Sequence, residues 1–393
     1  MCMARMVLNE TSYFGAGCRK ELTAELKKRK MKKAFIVSDA DLYKFGVVKA
    51  VTDVLDGCGT DYYVFTDVKP NPTIANVHAA LNAFNAFSPD VIIAIGGGSA
   101  IDTAKAVGVI ATNPNFADVK SLEGVAPTEN KAFPIIAFAT TSGTAAEVTI
   151  NYVITDEAAG RKLVCVDPGD IPIIAFNDAE LMISMPKGLT AATGMDALTH
   201  AIEGYITPGA NPISDLLCWN SIKLVSENLR AAVKDGADVS AREGMAYGSY
   251  VAGMAFSNVG LGIVHSMAHP LGARFDVPHG VANALLLPFV MEYNKPACVK
   301  KFGDIARAMG VSVTGLSAEE AATAAIEAVK KLSLDIGIPQ KLKDLKKRGT
   351  DETLIRPEDL AQLAEDAFID PCTGGNPRKT SVKEILELYK TAY

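Results

Sequence analysis

The sequence predicts two domains of different class. An α/β domain of Rossmann-like, nucleotide-binding type spans residues 1–185, and an all-helical domain spans 186–393. Three observations predict this division. A length of 393 residues favours two domains over one. Up to residue 185, short apolar runs alternate with stretches of helical period, as in a parallel sheet covered on both faces. Beyond it almost every segment repeats at helical period, and Pro186 stands at the change.

The runs KKAFIVSD (32–39), DYYVFTDV (61–68), DVIIAIGGGS (90–99) and FPIIAFATTSGT (133–144) each read as a buried strand that ends in polar or glycine residues. Helical stretches such as AIDTAKAVGVIA lie between them. In the second half, TAATGMDALTHAIEGYI, SDLLCWNSIKLVSENLRAAV, AREGMAYGSYVAGMAF, SAEEAATAAIEAVKKLSL, PEDLAQLAEDAF and SVKEILELYKTAY read as helices. Ser317 and Glu320 have capping-box spacing at the start of one of them.

Apolar residues make up 49 % of the chain and charged residues 21 %, ordinary values for a soluble globular protein. A formal net charge of −6 argues against a nucleic-acid partner. The N-terminal MCMARMVLNETSYFG lacks a signal peptide's apolar core. The most apolar long window, VIIAIGGGSAIDTAKAVGVIA, is broken by Asp102 and Lys105, so no membrane span is expected. The seven cysteines (Cys2, Cys18, Cys58, Cys165, Cys218, Cys298, Cys372) are scattered without a CxxC, which reads as reduced thiols in the cytoplasm.

Ligands of open parallel sheets bind at the carboxyl ends of the strands. In VIIAIGGGSAIDTAK, Gly96, Gly97 and Gly98 allow a tight turn and close backbone approach. Ser99 then opens a helix whose free N–H groups favour a phosphate. The bland alternative is a capping box of Ser99 and Asp102, and neither GxGxxG nor the Walker pattern is satisfied. Hydroxyls in ATTSGT (Thr140, Thr141, Thr144) follow the next strand. Asp39 ends KAFIVSD, where a carboxylate can accept from ribose hydroxyls and repel a 2′-phosphate; as an isolated residue it reads first as a helix cap.

The chain has five histidines, and three of them fall in HSMAHPLGARFDVPH. Asp196 and His200 are four apart in GMDALTHAIEGY, on one face of a helix. His265 and His269 repeat that spacing, and His279 follows after a loop. Such a set can hold a divalent first-row metal; imidazole suits zinc, iron, copper and nickel alike. Pro270 is expected to kink or end the helix near His269, so that His279 can return to the same point. Spacing leaves open whether His269 is a ligand or a neighbour of the ligands. His78 has no partner nearby in sequence and takes no role.

At this point the motifs IGGGSAIDTAK, ATTSGTAAEV, AATGMDALTHAIEGY and VHSMAHPLGARFDVPHGVANALLLP resemble, over essentially the whole chain, the iron-containing (group III) alcohol dehydrogenases. The resemblance implies a dehydroquinate-synthase-like fold and a homodimer with the N-terminal strand region in the contact. It implies Fe(II), with Zn(II) as the alternative metal, on Asp196, His200, His265 and His279, and it puts His269 beside the ligands as the catalytic residue. It implies NAD contacts at Asp39, Asn71, Gly97, Gly98, Ser99, Thr140, Thr141, Thr144 and Lys162, with Asp102 of the same motif among them. Asn151, Phe256 and Cys372 are implied to border a pocket for a small aldehyde or alcohol. Phe138 and Ala139 depart from the usual residues before TTSGT. The implied reaction is hydride transfer between nicotinamide and a carbonyl carbon held roughly 3–3.5 Å apart, on lactaldehyde, 3-hydroxypropanal, glycerol or butanol as substrate families. A dehydroquinate-synthase-type lyase would need a basic cluster, and only Lys187, Arg274 and Arg378 lie around the ligand segments. A nucleotide-binding regulator would have no use for a four-ligand site.

Overall fold

The computed structural model describes residues 4–347 and 349–393, so Cys2 lies outside the described residues. The chain divides into two compact units, Arg5–Met185 and Pro186–Tyr393. The first contains, in order, β1 (Thr11–Phe14), α1 (Leu22–Arg29), β2 (Lys33–Val37), α2 (Ala40–Lys44), α3 (Val47–Cys58), β3 (Asp61–Phe65), α4 (Ile74–Phe87), β4 (Val91–Gly96), α5 (Gly98–Thr112), β5 (Ile135–Ala139), β6 (Asn151–Asp156), β7 (Arg161–Val166) and β8 (Ile174–Asn177).

Six of these strands form one sheet in the order β1-β8-β5-β4-β2-β3, and every pairing in it is parallel. Side chains of a strand alternate between faces, so each apolar run feeds two cores. Phe35, Val37, Ile92, Ala94 and Ala137 pack on one side with residues of α4 and α5. Ala34, Ile36, Val91, Ile93, Ile95, Ile136 and Phe138 pack on the other with residues of α1 and α3. This two-sided burial explains why β4 and β5 read as unbroken apolar runs. The four strand runs expected from sequence are β2, β3, β4 and β5. β2, β4 and β5 are neighbours, so their carboxyl ends lie side by side.

Strands β1, β8 and the β6–β7 pair go beyond the sequence expectation. β1 and β8 have four residues each, too short for a periodic signal. The antiparallel β6–β7 hairpin stands outside the main sheet. It buries alternate residues, Tyr152, Ile154, Leu163 and Cys165, on the core beside α5.

The second unit contains α6 (Lys187–Ile206), α7 (Pro212–Lys234), α8 (Val239–Val259), α9 (Ile263–Phe275), α10 (His279–Ala308), α11 (Ala318–Asp335), α12 (Leu360–Ile369) and α13 (Val382–Ala392). The capping box of Ser317 and Glu320 starts α11. Helix α6 is buried along most of its length and packs on α7, α8 and α10. No single helix is long and apolar enough to cross a membrane among the described residues.

Of the two effects expected of Pro270, a kink or an end, the end does not occur there. α9 does not end at His269 but continues through Pro270 to Phe275. The reversal comes later, at Asp276, which has φ 52° and caps the helix in the left-handed region. Proline removes the helical hydrogen bond to the Ser266 carbonyl; one residue on, the Tyr389 hydroxyl donates to the Met267 carbonyl, 2.6 Å away. His279 is then the first residue of α10.

Candidate functional site

Three helices of the second unit meet at one group of side chains. α6 presents Asp196 and His200 one turn apart, α9 presents His265 and His269, and α10 opens with His279. α10 comes this close to α6 because Gly280 follows the histidine. A Cβ at Gly280 would lie 2.3 Å from the Ala192 carbonyl oxygen, inside any tolerable contact.

One ligand atom each from Asp196, His200, His265 and His279 lies within 4.8 Å of all the others. Asp196 Oδ1 is 3.9 Å from His265 Nε2 and 3.6 Å from His279 Nε2. Asp196, His200 and His265 are buried, and His279 is partly exposed. Burial pushes His265 down to about 4, so its imidazole is neutral and carries a lone pair. The Phe256 ring stacks on His200 with centroids 4.1 Å apart.

The donor chemistry fits a metal ion. The Asn283 amide nitrogen lies 2.7 Å from Asp196 Oδ1 and 3.1 Å from both His265 Nε2 and His279 Nε2. One carboxylate and three imidazoles converging within 4.8 Å are a donor set that suits a divalent first-row cation.

Beside this group, His269 Nδ1 lies 2.7 Å from Asp370 Oδ2. Burial alone would raise the Asp370 carboxyl, but the His269 contact and the Cys372 amide outweigh it and hold the carboxyl below its ordinary value. Asp370 also caps the short turn Pro371–Gly375, which carries Cys372. Burial and the Asp370 and Glu203 carboxyl groups push the Cys372 thiol well above its ordinary value.

In the α/β unit, α5 begins at Gly98 with Gly97 as its N-cap and no side-chain cap. The capping box of Ser99 and Asp102 is therefore not formed; Asp102 instead accepts from the Val153 amide at 3.1 Å. The first-turn N–H groups of α5 remain available to an anion. A Cβ at Gly97 would meet Thr141 Oγ1 at 3.0 Å, and one at Gly98 would meet Thr144 Cγ2 at 3.0 Å. Glycine is thus what lets the two loops meet. The Thr140 amide donates to the Gly96 carbonyl at 3.0 Å and ties them together.

Asp39 caps α2 through Oδ1, which accepts from the Leu42 amide at 2.8 Å. Lys162 Nζ donates to Asn71 Oδ1 at 2.8 Å, and Asn71 has φ 52°. Asn151 opens β6 in this unit, whereas Phe256 and Cys372 belong to the helical unit.

Sequence reasoning passes over Glu203, Asn283 and Asp370. Glu203 follows His200 by three residues and Asn283 follows His279 by four, so both share a helix face with a ligand candidate. That spacing is the available signal. Asp370 lies 101 positions from His269, and nothing local announces it.

Residues 9–179 match the model of the iron-containing alcohol dehydrogenases, and residues 190–393 match that of the family's C-terminal region. The chain belongs to the iron-containing alcohol dehydrogenases. This alcohol dehydrogenase is 54 % identical to the lactaldehyde reductase of Escherichia coli (strain K12) over 389 residues, 99 % of each chain. It superposes on a solved 1,3-propanediol oxidoreductase with a TM-score of 0.95 and 42 % identity over 100 % of both chains. A sulfoacetaldehyde reductase from Bifidobacterium kashiwanohense, solved in complex with NAD+, matches at a TM-score of 0.87 and 29 % identity, over 100 % of this chain and 99 % of that one. The parallel-sheet unit and the helical unit give this oxidoreductase a dehydroquinate-synthase-like fold.

Proposed function

We propose that this alcohol dehydrogenase interconverts lactaldehyde and 1,2-propanediol with NAD and a divalent metal, Fe(II) in the working enzyme. The observation that carries the reading is the full-length likeness to lactaldehyde reductase in a chain that also keeps a complete one-carboxylate, three-histidine donor group.

Asp196, His200, His265 and His279 would hold the metal. When bound, such an ion supplies Lewis-acid polarisation of a carbonyl oxygen, worth several kcal/mol. Gly97, Gly98 and Ser99 at the uncapped start of α5 would take the pyrophosphate, and Thr140, Thr141 and Thr144 line the same turn. NAD+ in the solved sulfoacetaldehyde reductase supports NAD as the cofactor. Asp39 would accept from the adenosine ribose through the oxygen that its cap leaves over, and so exclude NADP. Lys162, held by Asn71, and Asp102 complete the proposed cofactor set. His269, with Nδ1 engaged by Asp370, has Nε2 left for moving the proton. Asn151, Phe256 and Cys372 would bound the substrate. Cytoplasmic location and a homodimer complete the proposal; β1 is an edge strand of the sheet, able to take part in such a contact.

The test is a substrate panel under anaerobic conditions with NADH, comparing lactaldehyde, glycolaldehyde, 3-hydroxypropanal and butanal on Fe(II)- and Zn(II)-loaded protein. Lactaldehyde with Fe(II) is expected to give the highest kcat/KM. Activity should decay in air and return with Fe(II). A tenfold preference for 3-hydroxypropanal would favour a 1,3-propanediol dehydrogenase, the reading that the solved oxidoreductase makes the runner-up. Air-stable activity with stoichiometric zinc would overturn the iron assignment.

A further inference from the structure

Glu203 extends the stripe of α6 that already carries Asp196 and His200. It is 2 % exposed. Its two oxygens meet two different donors on α9. Oε1 accepts the Val264 amide at 2.8 Å, and Oε2 lies 2.5 Å from His265 Nδ1. The approach depends on Gly262, because a Cβ there would sit 2.9 Å from Glu203 Oε1.

The Asn283 amide nitrogen faces His265 Nε2 at 3.1 Å, so Nε2 accepts, and the ring hydrogen resides on Nδ1 and is donated to Glu203. The lone pair is then on Nε2, the atom that faces Asp196 Oδ1 at 3.9 Å. The opposite tautomer would put a proton where a cation has to bind.

We propose that Glu203 is a positioning residue that fixes the tautomer and ring orientation of His265 and thereby sets the metal affinity of the site. The inference rests on the assignment of Asp196, His200, His265 and His279 as metal ligands. One carboxylate on α6 thus controls a donor on α9 and anchors the first turn of that helix.

The substitution Glu203→Gln separates this role from simple packing. Glutamine keeps the shape of the side chain but only one acceptor oxygen. The Val264 amide is a fixed donor and takes that oxygen. The glutamine NH2 group then faces His265 Nδ1, which must accept, and the ring proton moves to Nε2. For Glu203→Gln the affinity for Zn(II), measured by competition with a chromogenic chelator, is expected to fall by about 10–100-fold, the usual effect of losing a partner behind a metal-bound histidine. The melting temperature of the chelator-treated protein should change little.

The tautomer itself is read by 15N NMR of histidine-labelled protein, in which a chain with five histidines gives few signals. Metal-free wild type is expected to show Nδ1–H at His265, assigned by its loss in His265→Gln, and Glu203→Gln to show Nε2–H. Equal zinc affinity in Glu203→Gln and wild type overturns the role of Glu203 while leaving the metal site standing. Failure of wild type to bind zinc near one ion per chain overturns the site and the inference together. Should the variant not fold, an Nε2–H tautomer in metal-free wild type overturns the proposal and an Nδ1–H tautomer supports it.

Discussion

Replacing Gly280 with alanine tests how closely α6 and α10 must approach. The added Cβ would lie 2.3 Å from the Ala192 oxygen and 2.6 Å from its carbonyl carbon, both backbone atoms that cannot rotate away. Restoring an ordinary contact requires the start of α10 to move by about 1 Å. His279 is the adjacent residue, and Ala192 is one turn before Asp196. Metal–ligand distances tolerate only about 0.2 Å, so the shift exceeds the tolerance several-fold. Overpacking of this kind costs about 1–3 kcal/mol of stability. Zinc affinity is expected to drop by at least about 10-fold, the lower bound for disturbing a ligand's support. Chelator competition reads the affinity, and thermal unfolding with and without chelator reads the stability. Gly303→Ala, beyond the kink that α10 makes at Cys298, is the control. Its Cβ would meet Ala321 Cβ at 3.6 Å, an ordinary contact, and removing a helical glycine should add about 0.5–1 kcal/mol. If both variants melt alike and bind zinc like wild type, close approach at Gly280 has no part in building the site.

Asp39→Ser keeps an oxygen to cap the Leu42 amide but removes the charge; the kcat/KM ratio for NADPH over NADH should rise at least about tenfold, since a carboxylate there repels a 2′-phosphate, with the melting temperature nearly unchanged. An unchanged coenzyme ratio would remove Asp39 from the discrimination. Lys105 and Asp170 are fully buried with Nζ 3.7 Å from Oδ1, and Nζ also donates to the Thr149 and Asn151 carbonyls. Burial pushes the Asp170 carboxyl up to about 8, so the firm loss in Lys105→Met is the donor to two carbonyls, and it should destabilise the α/β unit by about 1–3 kcal/mol for each one left unsatisfied. Adding Asp170→Leu should recover part of that in thermal or urea unfolding. Wild-type stability in Lys105→Met alone would mean that the pair carries no weight.

The parts of the fold that the sequence disclosed are those whose burial has a period. β4 and β5 are buried on both faces and read as solid apolar runs; α6 and α11 show helical repeats, and α11 its own start signal. β1 and β8 are four-residue strands that gain their meaning only from pairing, β1 with β8 over Thr11 to Phe14 and β8 also with β5. The hairpin β6–β7 depends on a core built by α5, so tertiary packing decides it. In the site, spacing within a helix brought Asp196 and His200 forward, and family resemblance separated His269 from the ligand candidates. Glu203 escapes notice because a glutamate on a helix is ordinarily solvated. Its buried partner lies 62 residues away. Pro270 leaves the Ser266 carbonyl without its helical donor, yet the buried helix continues to Phe275, because packing outweighs the loss of one bond.

The stripe of α6 has a consequence for how this chain can change in length. Asp196, His200 and Glu203 share a face only because each residue advances the helix by about 100°. Inserting or deleting one residue between Asp196 and Glu203 would turn whatever follows by that angle and shift it by about 1.5 Å. The damage would reach beyond the element altered, since His265 takes its bearing from Glu203. Loops such as the stretch between α11 and α12 can absorb added residues, whereas the span from Asp196 to Glu203 is fixed in count as well as in kind.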